Sequence, residues 1–212
     1  MKTFLYVPNL IGYGRIALLV LAYLFFTTNF SLFVTCYFLS FVLDAVDGIA
    51  ARALNQCSKF GACLDMLVDR MATLLLVIIN LQTPNAPLQS FILWWIMIDL
   101  TSHWLQTLAA AQSNAHHKSM ANKFGLLNLY YTSKKFMCTL CVGAEFFLLF
   151  NIFVGTHSDV GTIHWTGYLI TLVLFSTKGF IHILQLLSNV LRIVEDEERE
   201  IESFGSTPAK VK

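Results

Sequence analysis

The sequence predicts an all-α fold: a polytopic membrane bundle of six transmembrane helices behind a short amphipathic N-terminal segment. Three observations predict it. Of the 212 residues, 56% are hydrophobic and only 13% charged, against about 25% charged in a soluble domain, so the chain cannot cover itself with polar surface. The apolar residues run in stretches long enough to span a bilayer, separated by turn signals. Most Lys and Arg residues are segregated among the connecting segments rather than pooled in one basic patch, so a net charge of +1 gives no electrostatic footing for nucleic acid.

Each element follows from the local text. Residues 1–14 read as an amphipathic approach to the membrane, with Phe4, Leu5, Val7 and Leu10 apolar and Pro8, Asn9, Gly12 and Gly14 interrupting. No small-residue cleavage site follows, which argues against a signal peptide. A first span is expected from Arg15 and Ile16 to about Phe33, allowing for a break at Thr27, Thr28 and Asn29. The second is expected over 31–53 and the third over 62–81. Pro84, Asn85 and Pro87 mark a turn. The fourth span is expected over 88–111, and 112–130 reads as a polar loop in which His116, His117 and Lys118 are solvated. The fifth is expected over 133–154 and the sixth over 163–193. Residues 195–212 are charged and lack an apolar stripe after Ile201, which reads as a solvated helix end and loose tail. The organisation is thus one membrane domain, 1–194, and a charged cytosolic tail, 195–212. Cys36, Cys57, Cys63, Cys138 and Cys141 lie in or beside apolar segments and read as core thiols rather than a disulfide or metal framework.

Orientation follows from the cations. One set of loops carries Lys2, Arg15, Arg52, Lys59, Lys118, Lys123, Lys134, Lys135, Arg192 and Arg199, while the opposite loops near 27–31, 81–89 and 155–162 carry no Lys or Arg. The positive-inside rule then puts both termini in the cytosol.

The residues that need a special reason are Asp44, Asp47, Asp65 and Asp69, all inside apolar sequence. An intramembrane carboxylate is expensive and marks a functional site by default. Asp44, Asp47 and Ala51 fall at i, i+3 and i+7 on one helix face, and Asp65 and Asp69 are an i, i+4 pair on the next helix. If Gly48 and Ala51 let the two helices approach closely, four carboxylates converge and need compensating charge. Hard divalent cations with oxygen ligands fit, completing their shell with water and substrate phosphate. Two of them can clamp the attacking and leaving oxygens of a phosphoryl displacement. The cluster opens toward the cytosol, where nucleotides and polyols are. A membrane cation transporter would also need such aspartates, but not Gly61 at a fixed distance from Arg52 or an acidic cluster confined to one leaflet.

Asp44-x2-Asp47-Gly48-x2-Ala51-Arg52-x8-Gly61-x3-Asp65-x3-Asp69 resembles, at every fixed position, the signature of the CDP-alcohol phosphatidyltransferase family. The flanking text is similar to the inositol-using eukaryotic branch over about 5–147: Val7 to Tyr13 with Arg15, Ala53 to Gln56, Phe60 to Ala62, Leu64 to Met66, Asp69-Arg70 and Ser102-His103-Trp104. The resemblance implies a metal-dependent transferase that moves the phosphatidyl group of CDP-diacylglycerol to myo-inositol and releases CMP. It implies two Mg²⁺ or Mn²⁺ ions on Asp44, Asp47, Asp65 and Asp69, with Asp69 also the catalytic base. CDP-diacylglycerol binding falls to Gly48, Arg52 and Ser58, with Asn9 and Arg15 at the nucleotide end; Arg15 read alone is equally an interface anchor. Inositol binding falls to Asp99, His103, Tyr130 and Lys134, the last standing where the family usually has an arginine. Asp99 and His103, an i, i+4 pair, could equally bond to each other and hold helices together. The implied setting is the endoplasmic reticulum membrane, with the lipid bilayer as partner, no nucleic acid, and room for a homodimer. Sister enzymes that accept glycerol phosphate, serine or choline share the same signature and stay open as alternatives.

Overall fold

The computed structural model describes residues 2–112, 124–157 and 161–205. Among them there is no strand. Seven α-helices follow a 3₁₀ turn at Lys2–Leu5: α1 (Val7–Phe25), α2 (Phe30–Ala53), α3 (Lys59–Gln82), α4 (Gln89–Gln112), α5 (Gly125–Thr132), α6 (Lys134–Thr156) and α7 (Thr162–Gly205). They form two compact units, 1–86 and 87–212. Helices α1, α2, α6 and α7 are long and apolar enough to cross a membrane. Helices α3 and α4 match them in length, with 24 residues each. Asp65, Asp69 and Arg70 in α3, and Asp99, Ser102, His103 and Gln106 in α4, lower their apolar content. Large apolar side chains such as Leu24, Phe38, Trp94, Trp104 and Val173 stand exposed on the helices, as lipid-facing residues do. Several apolar helices with such faces make a multi-pass membrane protein.

In the first unit, α1 packs on both α2 and α3. It starts at Val7, eight residues before the expected start at Arg15, and ends at Phe25 rather than Phe33. Pro8 does not interrupt it, because in the first turn a missing N–H costs nothing. Gly12 does not interrupt it either: a Cβ there would lie 3.1 Å from Leu64 Cδ2, so this glycine lets α3 come close. Arg15 is therefore two turns inside a helix and only 2% exposed, which corrects its reading as an interface charge. Phe30 to Phe33 belong to α2, which Asn29 caps by accepting from the Leu32 N–H at 3.0 Å.

The end of α2 is set by its sequence. Asn55 adopts φ +53°, a conformation asparagine tolerates better than most residues. The Gln56 N–H donates to the Ala51 carbonyl at 2.9 Å and the Asn55 N–H to that of Arg52 at 3.3 Å, a Schellman closure. The helix thus ends at Ala53 and the chain turns back. Ser58 then caps α3, accepting from the Gly61 N–H at 2.9 Å. The two aspartate-bearing helices do not pack closely on each other, which corrects the expected approach at Gly48 and Ala51; both pack on α1, and Gly48 faces the Arg52 side chain of its own helix.

In the second unit, α7 packs on α4, α5 and α6. Its core includes Trp95, Phe147, Tyr168 and Phe175, all under 5% exposed. Trp95 stacks on Phe175 at 4.3 Å and donates from Nε1 to the Phe175 carbonyl at 3.0 Å. Gly179 makes this possible, since a Cβ there would lie 2.6 Å from Trp95 Cδ1. Gly179→Ala should cost about 1–3 kcal/mol by overpacking, read as a lower melting midpoint of the detergent-solubilised protein; an unchanged midpoint contradicts this packing. Two expectations change in this unit. Residues 125–132 are helix α5 rather than loop, because Leu127 and Tyr130 bury into a cluster with Leu140 and Ile181. Helix α7 runs on through the acidic stretch to Gly205 rather than ending near Ile193. His116, His117, Lys118, Lys123 and the last seven residues lie outside the described residues.

Candidate active site

The carboxylates of α2 and α3 converge, and Arg15 stands at their centre. Its Nη1 lies 2.7 Å from Asp44 Oδ1, 3.0 Å from Asp47 Oδ2 and 3.2 Å from Asp65 Oδ1, and its Nη2 lies 2.7 Å from Asp69 Oδ1. The planar fork of a guanidinium suits such a task, since it offers donors in fixed directions to several oxygens at once. The Arg15 side chain is 3% exposed, whereas those of Asp44, Asp65 and Asp69 are 41%, 50% and 37% exposed. The cation is thus sealed in and the anions keep an open face. Ser40 Oγ donates to the Arg15 carbonyl at 3.3 Å, fastening α2 to α1 at the same level.

One guanidinium does not balance four carboxylates: with all ionised, the excess is formally three negative charges. Ligand oxygens of Asp44, Asp47 and Asp65 all lie within 4.8 Å of one another. An all-oxygen donor set with excess negative charge and an open face fits hard divalent cations.

Beside the carboxylates is a cavity of about 160 Å³, lined by residues that include Asn9, Asp47, Gly48, Ser58, Gly61 and Asp65. Gly61 keeps it open, because a Cβ there would sit 3.0 Å from Asn9 Oδ1 and 3.1 Å from Ser58 Oγ. Asn9 is buried, and its Nδ2 donates to the Thr3 carbonyl at 2.6 Å. Gln56 Oε1 accepts from the Val7 N–H at 2.8 Å, tying the start of α1 to the turn after α2. The cap bond to Gly61 uses a lone pair of Ser58, whose O–H stays available as a donor. Arg52 is exposed and lies along α2 over Gly48, its Nη1 3.5 Å from where a Gly48 Cβ would be. Asn9, Gly48 and Ser58 are therefore gathered at one cavity, with Arg52 next to Gly48. Arg15, grouped with them by sequence, is turned into the acidic cluster instead. That role was hidden: a lone arginine among apolar residues gives no sign of which partners the fold will bring to it.

The second unit holds its own polar cluster. Asp99 is fully buried, and its Oδ1 lies 2.8 Å from His182 Nδ1 and 3.6 Å from His103 Nδ1. His103 Nδ1 is also 2.8 Å from the Asp99 carbonyl. Gln106 Oε1 accepts from Gln185 Nε2 and, at 3.4 Å, from the Tyr131 hydroxyl. Tyr130 packs in the apolar cluster with Leu127, Leu140 and Ile181, its hydroxyl 3.8 Å from Cys141 Sγ. Lys134 is exposed at the first residue of α6. Of the four residues assigned to the acceptor, the structure thus joins Asp99 and His103 and places Tyr130 and Lys134 in other settings. The sequence reading missed His182. A signal was present, since Lys178, His182 and Gln185 follow at i, i+4 and i+7 and are all under 5% exposed.

Comparison with known proteins follows the same lines. The CDP-alcohol phosphatidyltransferase family profile matches residues 5–182. A CDP-diacylglycerol–inositol 3-phosphatidyltransferase of Arabidopsis thaliana is 36% identical over 205 residues, covering 88% of this chain and 87% of the relative. The human protein of that name is 38% identical over 192 residues (87% and 89%), and that of Saccharomyces cerevisiae 30% identical over 206 residues (95% and 92%). No solved structure matches. With the signature carboxylates converging from α2 and α3 and the family profile covering most of its length, the chain belongs to the CDP-alcohol phosphatidyltransferase family.

Proposed function

We propose that the protein is a phosphatidylinositol synthase, which transfers the phosphatidyl group of CDP-diacylglycerol to myo-inositol and releases CMP. The observation that carries this is the convergence of Asp44, Asp47, Asp65 and Asp69 beside a cavity lined by Asn9, Gly48 and Ser58. It is joined to relatives of that printed name that match the chain along most of its length. The four aspartates would hold two divalent ions, Mg²⁺ or Mn²⁺, whose chemistry when bound is to neutralise the pyrophosphate and polarise its phosphorus. Gly48 leaves room for the cytidine. Arg52 offers paired donors to a phosphate, and the Ser58 hydroxyl donates to it. Asn9 shapes the nucleotide end, and Arg15 serves that end through the carboxylates it gathers. Asp69 takes the proton of the attacking hydroxyl as the new O–P bond forms and the bond to CMP breaks. Asp99 and His103 serve the acceptor, with Tyr130 and Lys134 assigned to the same task. In membranes carrying the protein, CMP release from CDP-diacylglycerol should require both myo-inositol and a divalent ion. Full turnover in excess chelator sinks the mechanism.

The same proposal covers topology and place. Six helices cross the endoplasmic reticulum membrane behind the N-terminal turn, residues 1–194 form the membrane domain, and both termini, the tail and the active site face the cytosol. The support is the asymmetry of Lys and Arg along the sequence. In a cysteine-free background, a cysteine at position 57 should label only from the cytosolic side and one at position 85 only from the lumen; the reverse pattern overturns the orientation. Assembly as a homodimer is part of the reading, and crosslinking in native membranes that yields monomer alone removes it.

A further inference from the structure

Arg15 and a divalent ion make the same demand on the carboxylates. Arg15 Nη1 reaches Asp44 Oδ1 at 2.7 Å, Asp47 Oδ2 at 3.0 Å and Asp65 Oδ1 at 3.2 Å. Ligand oxygens of these same three residues lie within 4.8 Å of one another, the ligand set of an ion. A hard divalent cation bonds such oxygens at about 2.0–2.6 Å, closer than the nitrogen does and through the same lone pairs. Two positive charges drawn to three shared oxygens repel each other, so nitrogen and ion compete for one place. Nη2 engages the fourth carboxylate in the same way, at 2.7 Å from Asp69 Oδ1.

This arrangement leaves one donor of the guanidinium unused. Arg15 Nε is buried and has no hydrogen-bond acceptor among the described residues, although the whole side chain is only 3% exposed. A buried N–H of a charged group without an acceptor is costly. The guanidinium is thus held by the carboxylates through its two ends alone, and it has a donor to gain by moving.

Formal charge decides what must arrive for it to move. Four ionised aspartates and Arg15 carry an excess of three negative charges. Two divalent ions would turn that into an excess of one positive charge beside a buried arginine. The pyrophosphate of a nucleotide lipid brings two negative charges and restores a negative balance. Arg15 therefore opposes the full pair of ions by itself and tolerates it together with a pyrophosphate.

We propose that Arg15 holds the place of an ion among the four carboxylates and yields it when the pyrophosphate arrives, so that the full pair of ions binds together with the CDP-lipid rather than before it. This rests on the reading above that the four aspartates hold divalent ions.

The test measures Mn²⁺ binding to the full-length protein in lipid nanodiscs, from the spin-resonance signal of free Mn²⁺, with and without CDP-diacylglycerol and with no acceptor alcohol. Ions held by the same lipid in protein-free discs are subtracted. In the wild type, fewer than two ions per chain should bind tightly without the CDP-lipid, and its addition should tighten binding about ten- to hundredfold, the usual range of coupling between two ligands. Arg15→Gln keeps a polar side chain and removes the charge. It should bind Mn²⁺ about ten- to hundredfold tighter than the wild type without the CDP-lipid, and lose most of the effect of adding it. Arg15→Lys, which keeps the charge, should stay weak without the lipid. Equal affinity of wild type and Arg15→Gln in the absence of CDP-lipid overturns the proposal. Should Arg15→Gln not accumulate, the wild type decides: two ions bound per chain with the same affinity with and without the CDP-lipid overturn the proposal, and coupling between them supports it. Wild-type protein that binds no more Mn²⁺ than Asp44→Asn, even with the CDP-lipid present, fails the reading of the aspartates as ion ligands instead.

Discussion

Asp69→Asn should lower turnover by about 10²–10⁴-fold, the typical contribution of one placed general base, while CDP-diacylglycerol binding survives better than in Asp44→Asn. The asparagine keeps the size and polarity of the aspartate and removes its ability to take a proton. Asp69 suits the task because it is half-way between two demands. Its Oδ1 is fixed at 2.7 Å by Arg15 Nη2, and its side chain is still 37% exposed, so a hydroxyl reaches it. Asp44, by contrast, is assigned to hold ions that the pyrophosphate needs, so its loss should weaken the binding of the nucleotide lipid itself. Turnover near wild type in Asp69→Asn removes this residue as the base.

Arg15→Gln should destabilise the protein strongly in chelator and much less with saturating Mg²⁺ or Mn²⁺. Breaking a buried ion pair by removing one partner costs about 3–5 kcal/mol. Here the cost is lower, because three of the four carboxylates are more than a third exposed and water screens them. A loss of several degrees in melting midpoint remains the expected size for a chain of this length. A divalent ion supplies the missing positive charge, so the deficit should shrink as the ion is titrated in. The same deficit with and without the ion contradicts the picture of Arg15 as the internal counter-charge of the centre.

The heart of the site was legible in the sequence because it is local. Asp44 to Asp69 spans one helix end, one turn and one helix start, and both the turn at Asn55 and the cap at Ser58 are written in the residues that perform them. What spacing could not give is how distant helices meet. The contacts from Arg15 to Asp65 and Asp69 cross about fifty positions, and those from Asp99 to His182 more than eighty. The start of α1 reads late in the sequence because Pro8 and Gly12 are breakers in mid-helix yet harmless in a first turn or against a neighbouring helix. Helix α5 reads as loop in the sequence because its eight residues are too few to show a period, and tertiary burial of Leu127 and Tyr130 decides its state. The resemblance assigns Tyr130 to the acceptor, and in the structure that side chain packs in the apolar cluster with Leu127, Leu140 and Ile181.

The signature handles the CDP half of the substrate that all sister enzymes share, so the acceptor is the claim on which the functional reading stands. The direct measurement supplies membranes carrying the protein with CDP-diacylglycerol, a divalent ion and, in separate reactions, labelled myo-inositol, glycerol phosphate, serine or choline. An uncharged polyol needs hydrogen-bond partners such as His103, and among the residues of α4 there is no Lys or Arg to clamp a second phosphate. Label should enter lipid from myo-inositol alone. Label entering from glycerol phosphate or serine, and not from myo-inositol, contradicts the reading and assigns the chain to a sister transferase.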